Sequence, residues 1–226
     1  MIVLHHAPLD AASRAVRLCL AEYGVAHELA EERVWERRPE FLQMNPAGTL
    51  PVLVEGAAVV CGTNAILEYL DETRGHEAGS RRLMPGGPAE RAEVRRLVDW
   101  VLDTTRTEVS EHLVHAKVTK RFDKSGASPD TTAIRAGKTN LRYHLKYIGY
   151  LIGHRSFIAG DWFTVADLAA AAELSVADYL GDVPWGEDEM AKTWYARVKS
   201  RPSFRPLLAE RVAGIAPPEW YADLDF

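Results

Sequence analysis

In the stretch TLPVLVEGAAVVCGTNAILEYL, Thr49 to Leu70, a proline opens a short β-run, a turn and a second β-run follow, and a helix begins at Gly62-Thr63. Helix starts carry uncommitted amides and the positive end of a dipole, so they favour anions. Thr63 and those amides suit a carboxylate, but the first candidate for a side chain that reads a ligand there is a glycine. A second cluster, Asp10-Ala11-Ala12-Ser13-Arg14, stands at the start of the first predicted helix, where an acidic side chain caps amides and complements the dipole. His5-His6, and His112 and His115 beside Glu108 and Glu111, have spacings that metal ligands use. No third fixed ligand set supports either pair, a solvated helix face accounts for the second, and no metal site is expected. Cys61 beside the helix start reads as a mildly acidic thiol or as a small hydrophobe ending a strand. There is no nucleophile elbow, P-loop or dinucleotide fingerprint.

The elements that must position these residues fall into two kinds. IVL is a short strand, and AASRAVRLCLAEYG carries Val16, Cys19, Leu20 and Tyr23 at helical spacing before Gly24 stops it. AHELAEE suits a second strand, RPEFLQM a short helix, PVLVE and AAVV a hairpin about Gly56, and TNAILEYLDETRG a helix. After HEAGSRRLMPGGP the strand signal disappears. Val94, Leu97, Val98, Val101 and Leu102 predict one long amphipathic helix from Ala89 to about Arg121, and Leu141, Leu145, Ile148, Leu151 and Ile152 a second from about Thr131 to Gly153. Thr164 and Asp167 have capping-box spacing before LAAAAELSVAD, a segment apolar on nearly all faces and suited to a domain centre. Loss of that box is expected to cost on the order of 1–2 kcal/mol.

A chain of 226 residues, 47% hydrophobic and 26% charged, has the composition of a soluble globular protein with sizeable cores. A formal charge of −5 argues against nucleic-acid binding. The two cysteines, in unlike contexts, suit a reducing compartment, and no apolar run is long enough for a membrane span or a signal peptide, so a cytoplasmic protein is expected.

SRAVRL on the first helix, NPAGTLPVL before the hairpin, TNAILEYL at the next helix start and G-D-x-x-T-x-A-D in the helical half occur in a set order. Together they resemble the glutathione S-transferase superfamily over essentially the whole chain. The resemblance implies an α/β plus all-α fold: a thioredoxin-like domain over 1–78, a linker over 79–88 and an all-helical domain with a tail over 89–226. It also implies a cis peptide before Pro51, with the backbone of Leu50 facing the cysteinyl part of glutathione. LSVADYLGDVPW, PPEWYADLDF and EERVWERRPEFL further resemble the FzlA-type branch of cell-division homologues, which bind the tubulin homologue FtsZ. That implies a homodimeric, non-catalytic regulator of FtsZ filaments, recruited to the division site.

Glutathione chemistry makes three demands on this sequence. The position that donates a hydrogen bond to the thiolate in the family is Asp10, and an ionised carboxylate there repels the sulfur and has no proton to give. The family's acidic reader of the γ-glutamyl ammonium is replaced by Gly62, a loss of about 1.5–3 kcal/mol or roughly tenfold to a hundredfold in affinity. Pro51 keeps the third contact but is also structural. No cofactor is therefore expected, with glutathione at most a weak ligand. The rival reading is an active transferase or peroxidase that uses Ser13 or a backbone amide.

If catalysis is lost, exposed groups become the candidates for a partner surface. Lys117, Lys120, Arg121 and Lys124 form a basic patch near the end of a long helix, suited either to an acidic partner or to the helix dipole. Trp35 beside Arg37 and Arg38 has the composition of an interface anchor, or packs under its own loop. In the tail, Trp220, Tyr221 and Leu224 are expected to dock on the body, leaving Asp223, Asp225 and Phe226 reachable.

Overall fold

The computed structural model describes residues 1–119 and 130–224. Strand β1 (Ile2–His6) pairs in parallel with β2 (His27–Glu31), and α1 (Ala11–Glu22) is the crossover that a parallel pair requires. Gly24, at φ +67°, ends α1 in the left-handed conformation that glycine tolerates. After α2 (Pro39–Met44), β3 (Val52–Glu55) pairs antiparallel with β1, and β4 (Ala58–Cys61) with β3, giving the order β2-β1-β3-β4. Helix α3 (Thr63–Ala78) follows β4 directly. The Leu50-Pro51 peptide is cis, as the resemblance implies.

The helical half begins with α4 (Pro88–Asp99). Its continuation differs from the single α-helix expected. Trp100–Ser110 is π-helical, Glu111–Val114 returns to one α-turn, and His115–Thr119 is π-helical again. Side chains still fall on one face, so the apolar pattern survives while the backbone register changes. Helix α5 (Thr131–Ile152) lies where the second periodic run places it, started by Asp130, whose side chain accepts from the Thr132 and Ala133 amides. Helices α6 (Val165–Tyr179), α7 (Glu189–Lys199) and α8 (Arg205–Ala209) complete the half.

Every residue of α6 is buried, as its all-round apolar sequence predicts. Its start is the expected capping box. The Ala166 amide donates to Thr164 Oγ1 at 3.3 Å, and the Thr164 amide to Asp167 Oδ2 at 3.0 Å. Asp167 also accepts from the Ile158 amide at 3.1 Å and from Trp194 Nε1 at 2.9 Å.

One hydrophobic core runs from the sheet through α1 to α6 and α7. Arg14 pins that seam from a fully buried position. It donates to Pro8 O at 2.7 Å and Ser175 Oγ at 2.8 Å and pairs with Glu210 at 3.1 Å, while Arg17 holds the other Glu210 oxygen at 2.7 Å. Between the halves, Leu83 and Met84 are buried, and the Leu83 amide donates to the Tyr23 hydroxyl. Of the three tail side chains expected to dock, one does. Tyr221 is buried edge-on against Tyr179, with centroids 5.1 Å apart, while Trp220 and Leu224 stay exposed. Among the described residues no helix is long and apolar enough to cross a membrane.

Candidate functional site

Two helix starts contain the residues the sequence singles out. At the start of α1, Asp10 is the N-cap, and its Oδ2 accepts from the Ser13 amide at 2.8 Å and from Ser13 Oγ at 2.5 Å. Ser13 is fully buried and its Oγ also accepts from the Ala7 amide, so the hydroxyl is committed to the cap rather than presented to a substrate. Glu173, buried on α6, brings a second carboxyl toward this cap and accepts from Ser110 Oγ at 3.1 Å. Burial pushes Glu173 up to about 8, with the negative charge of Asp10 adding to the rise and that of Arg106 opposing it. Burial also raises Asp10, against the hydrogen bonds from Ser13 and the charge of Arg106. Asp10 puts a carboxyl where a thiolate needs a hydrogen-bond donor, and the Ser13 hydroxyl beside it is committed to that carboxyl. Glu173 and Arg106 escape the sequence reading. The available signal is the one acid inside the apolar run AAAAELS.

At the start of α3 the arrangement is open. Gly62 has φ +89° and ψ 141°, a conformation L side chains rarely adopt, and no side chain caps the helix. Its amide donates to Pro51 O at 3.2 Å, which joins the cis-proline turn to the helix start. A cleft of about 330 Å³ is lined by Cys61, Gly62 and Thr63 on one side and by Asp99, Leu102 and Asp103 on the other. Asp99 Oδ1 accepts from Asn64 at 2.6 Å. These two carboxylates, four residues apart in VDWVLD, were not singled out from sequence, and they stand across from the amides where an ammonium lacks a partner on Gly62. Burial raises the Cys61 thiol, so it is the small hydrophobe of the two sequence readings. Pro51 is buried and Leu50 half-buried beside this start. Asp10 and Ser13 do not line this cleft.

The relatives of the chain share this frame. Residues 11–73 match the family model described as "Glutathione S-transferase, N-terminal domain". Over 227 residues the chain is 49% identical to FtsZ-localized protein A of Caulobacter vibrioides, covering 99% of this chain and 97% of that protein. The chain belongs to the glutathione S-transferase family. Its fold is the family's: a four-stranded mixed sheet in a thioredoxin-like N-terminal domain, followed by a helical C-terminal domain. A crystal structure of a glutathione S-transferase from Sinorhizobium meliloti superposes with a TM-score of 0.97 at 49% identity, with both chains fully covered. FzlA from C. crescentus superposes with a TM-score of 0.93 at 48% identity, over 100% of this chain and 99% of that one.

On this family frame the residues proposed for partner contact scatter. Trp35 sits in the 3₁₀ turn Val34–Glu36 with 58% of its surface exposed. Arg37 follows at φ +48°, the left-handed region, as a non-glycine residue. Arg38 pairs with buried Glu32 at 2.6 Å. Lys117 turns inward, toward buried Asp182 at 2.5 Å and Leu180 O at 3.2 Å, tying the end of the π-helical segment to the loop after α6. Asp223 is exposed, while Lys120, Arg121, Lys124, Asp225 and Phe226 lie outside the described residues. His6 is buried and held near 4 by burial and the Arg17 charge, and Glu108 pairs with His144 at 2.9 Å rather than with His112 or His115. Among the described residues no group of three or more His, Cys, Asp or Glu side chains could hold a metal ion.

Proposed function

We propose that the chain is a non-catalytic member of its family that binds FtsZ and organises FtsZ filaments at the division site. The observation that carries this reading is the 49% identity to FtsZ-localized protein A over 99% of the chain. It is supported by the start of α1, where Asp10 occupies the thiol-activating position and Ser13 is consumed by the cap. A homodimer with one site per protomer bridges filaments by raising effective concentration. The loop carrying Trp35 is the leading contact. An exposed Trp beside two arginines has the chemistry of an interface anchor.

Co-sedimentation with polymers of the FtsZ from the same organism tests this reading. The chain is expected to pellet with polymer above its own control, and Trp35→Ala to lower the pelleted fraction at least fivefold with unchanged circular dichroism. No pelleting at low or moderate salt rejects the reading.

A second reading is a weak glutathione-binding protein. Asp99 and Asp103, facing the amides of the α3 start across one cleft, favour it, since they offer a zwitterion both of its charges.

A further inference from the structure

We infer that the exposed face of α5 is a docking surface for an acidic polypeptide segment. The inference deepens the FtsZ reading and rests on it for the identity of the partner, though not for its chemistry. Helix α5 carries Arg135, Lys138, Arg142 and Lys146 and no acidic residue, in a chain with a formal charge of −5. Its apolar side, Leu141, Leu145, Ile148 and Leu151, is buried in the core. On the opposite side Arg135, Arg142, Tyr143, Lys146 and Tyr150 are all exposed. At 100° per residue these five fall within about a third of the helix circumference, along about 22 Å of its length.

Two features make this more than a solvated helix face. Tyr143 and Tyr150 leave 68% and 62% of their surfaces in water, and Tyr with Arg is the composition of interface centres rather than of inert surface. The charges are also largely uncommitted. Arg142 pairs with Glu187 at 2.6 Å, but Arg135 and Lys146 have no ion-pair partner among the described residues.

Charge complementarity selects the occupant. A second copy docking through the same face would set Arg135, Arg142 and Lys146 against themselves. A broad polyanion would also meet the acidic remainder of the chain, including Glu187 beside the stripe. A single segment laid along α5, with carboxylates over Arg135 and Lys146 and apolar side chains on the two tyrosine rings, meets complementary groups along the stripe and passes one acid, Glu187, which Arg142 already neutralises.

The test uses the full chain with two probes: polymers of the FtsZ from the same organism, by co-sedimentation, and a labelled glutamate–tyrosine copolymer, by fluorescence anisotropy. Arg135→Glu/Lys146→Glu is expected to weaken binding to each probe at least tenfold. Tyr143→Ala/Tyr150→Ala is expected to weaken it at least threefold, and Arg135→Lys/Lys146→Arg to keep it within twofold, all with unchanged circular dichroism. If wild type fails to pellet but binds the copolymer through these residues, the FtsZ reading fails and the docking surface stands. If wild type pellets and the charge-reversed variant pellets equally, the surface is refuted. Binding to neither probe, or a change in sedimentation-equilibrium mass of the charge-reversed variant, also overturns it.

Discussion

The starts of α6 and α3 perform the same local task, ending a loop and launching a helix, with opposite chemistry. At α6 the Thr164–Asp167 box satisfies the first-turn amides inside the protein, and Asp167 also holds the Ile158 amide and the Trp194 indole. At α3 a glycine with positive φ stands where the cap would be, and the helix opens onto a cleft. The first is buried and the second opens to solvent, and unpaired amides are costly only where solvent cannot reach them. A sealed start is therefore a folding device, and an open one is available to a ligand.

The largest test of that contrast is Asp167→Ala. It removes one acceptor from four donors, the Ile158 and Thr164 amides, Thr164 Oγ1 and Trp194 Nε1, all in a buried setting. A loss of about 4 kcal/mol is expected, since each buried group left unpaired costs about 1–3 kcal/mol and water relieves some of them. Urea denaturation reads it. A loss under about 1 kcal/mol would mean that the α6 start is no more sealed than that of α3.

The α1 start lies between the two, because its cap is made by Asp10 but a second acid, Glu173, is buried beside it. Burial holds Glu173 near 8 in the fold, against an unfolded value of 4.5. An acid raised in the folded state stabilises the fold while it stays protonated, so stability falls as pH rises from 4.5 and the loss is complete above about 8. Glu173→Gln keeps the acceptor for Ser110 and removes the titration. It is expected to flatten the decline and to be about 2 kcal/mol more stable than wild type at pH 9, below the full linkage value because the surroundings relax around a buried charge. Parallel pH profiles for the two proteins would remove Glu173 from the account.

At α3 the effects are smaller. Gly62→Ala forces a side chain into a conformation it rarely adopts, with nothing within 4 Å of the new Cβ, so the cost is conformational, about 1–2 kcal/mol. Thr63→Ala is expected to change stability by less than about 0.5 kcal/mol, because that helix start relies on no side-chain cap. A cost for Thr63→Ala near that of Asp167→Ala in the same assay would dissolve the distinction.

How much of this the sequence shows depends on whether the partner is local. The Asp10 cap and the Thr164–Asp167 box are legible because the residues that make them lie within a few positions of one another, whereas the cis bond before Pro51 is legible through the family resemblance. Lys117 reads from sequence as a cation near a helix end, but Asp182, which receives it, lies 65 positions away and is brought there by packing. Glu173 beside Asp10, and Asp99 with Asp103 across from Gly62, likewise depend on how α6 and α4 sit against the sheet domain. The π-helical register from Trp100 is invisible for another reason. It moves backbone hydrogen bonds while leaving the apolar face nearly as an α-helix would have it.

A further small effect, and the one that most sharpens the contrast, is the affinity of the α3 start for glutathione. Its amides and Thr63 suit the γ-glutamyl carboxylate, and Asp99 and Asp103 offer the ammonium a counter-charge that Gly62 cannot. Asp99 already accepts from Asn64, so Asp103 is the freer of the two. Both face an open cleft, where a charge pair contributes at most about 1 kcal/mol. Calorimetric titration is therefore expected to give a dissociation constant of about 1 mM or weaker, and Asp103→Asn to weaken it a further threefold or so. Asp167→Ala in a protein that remains folded should leave the constant unchanged, because the α6 start faces no ligand. Sub-millimolar binding would show that the open start has kept its ligand chemistry as well as its shape, and with thiol-conjugation turnover it would return the protein to the catalytic members of its family.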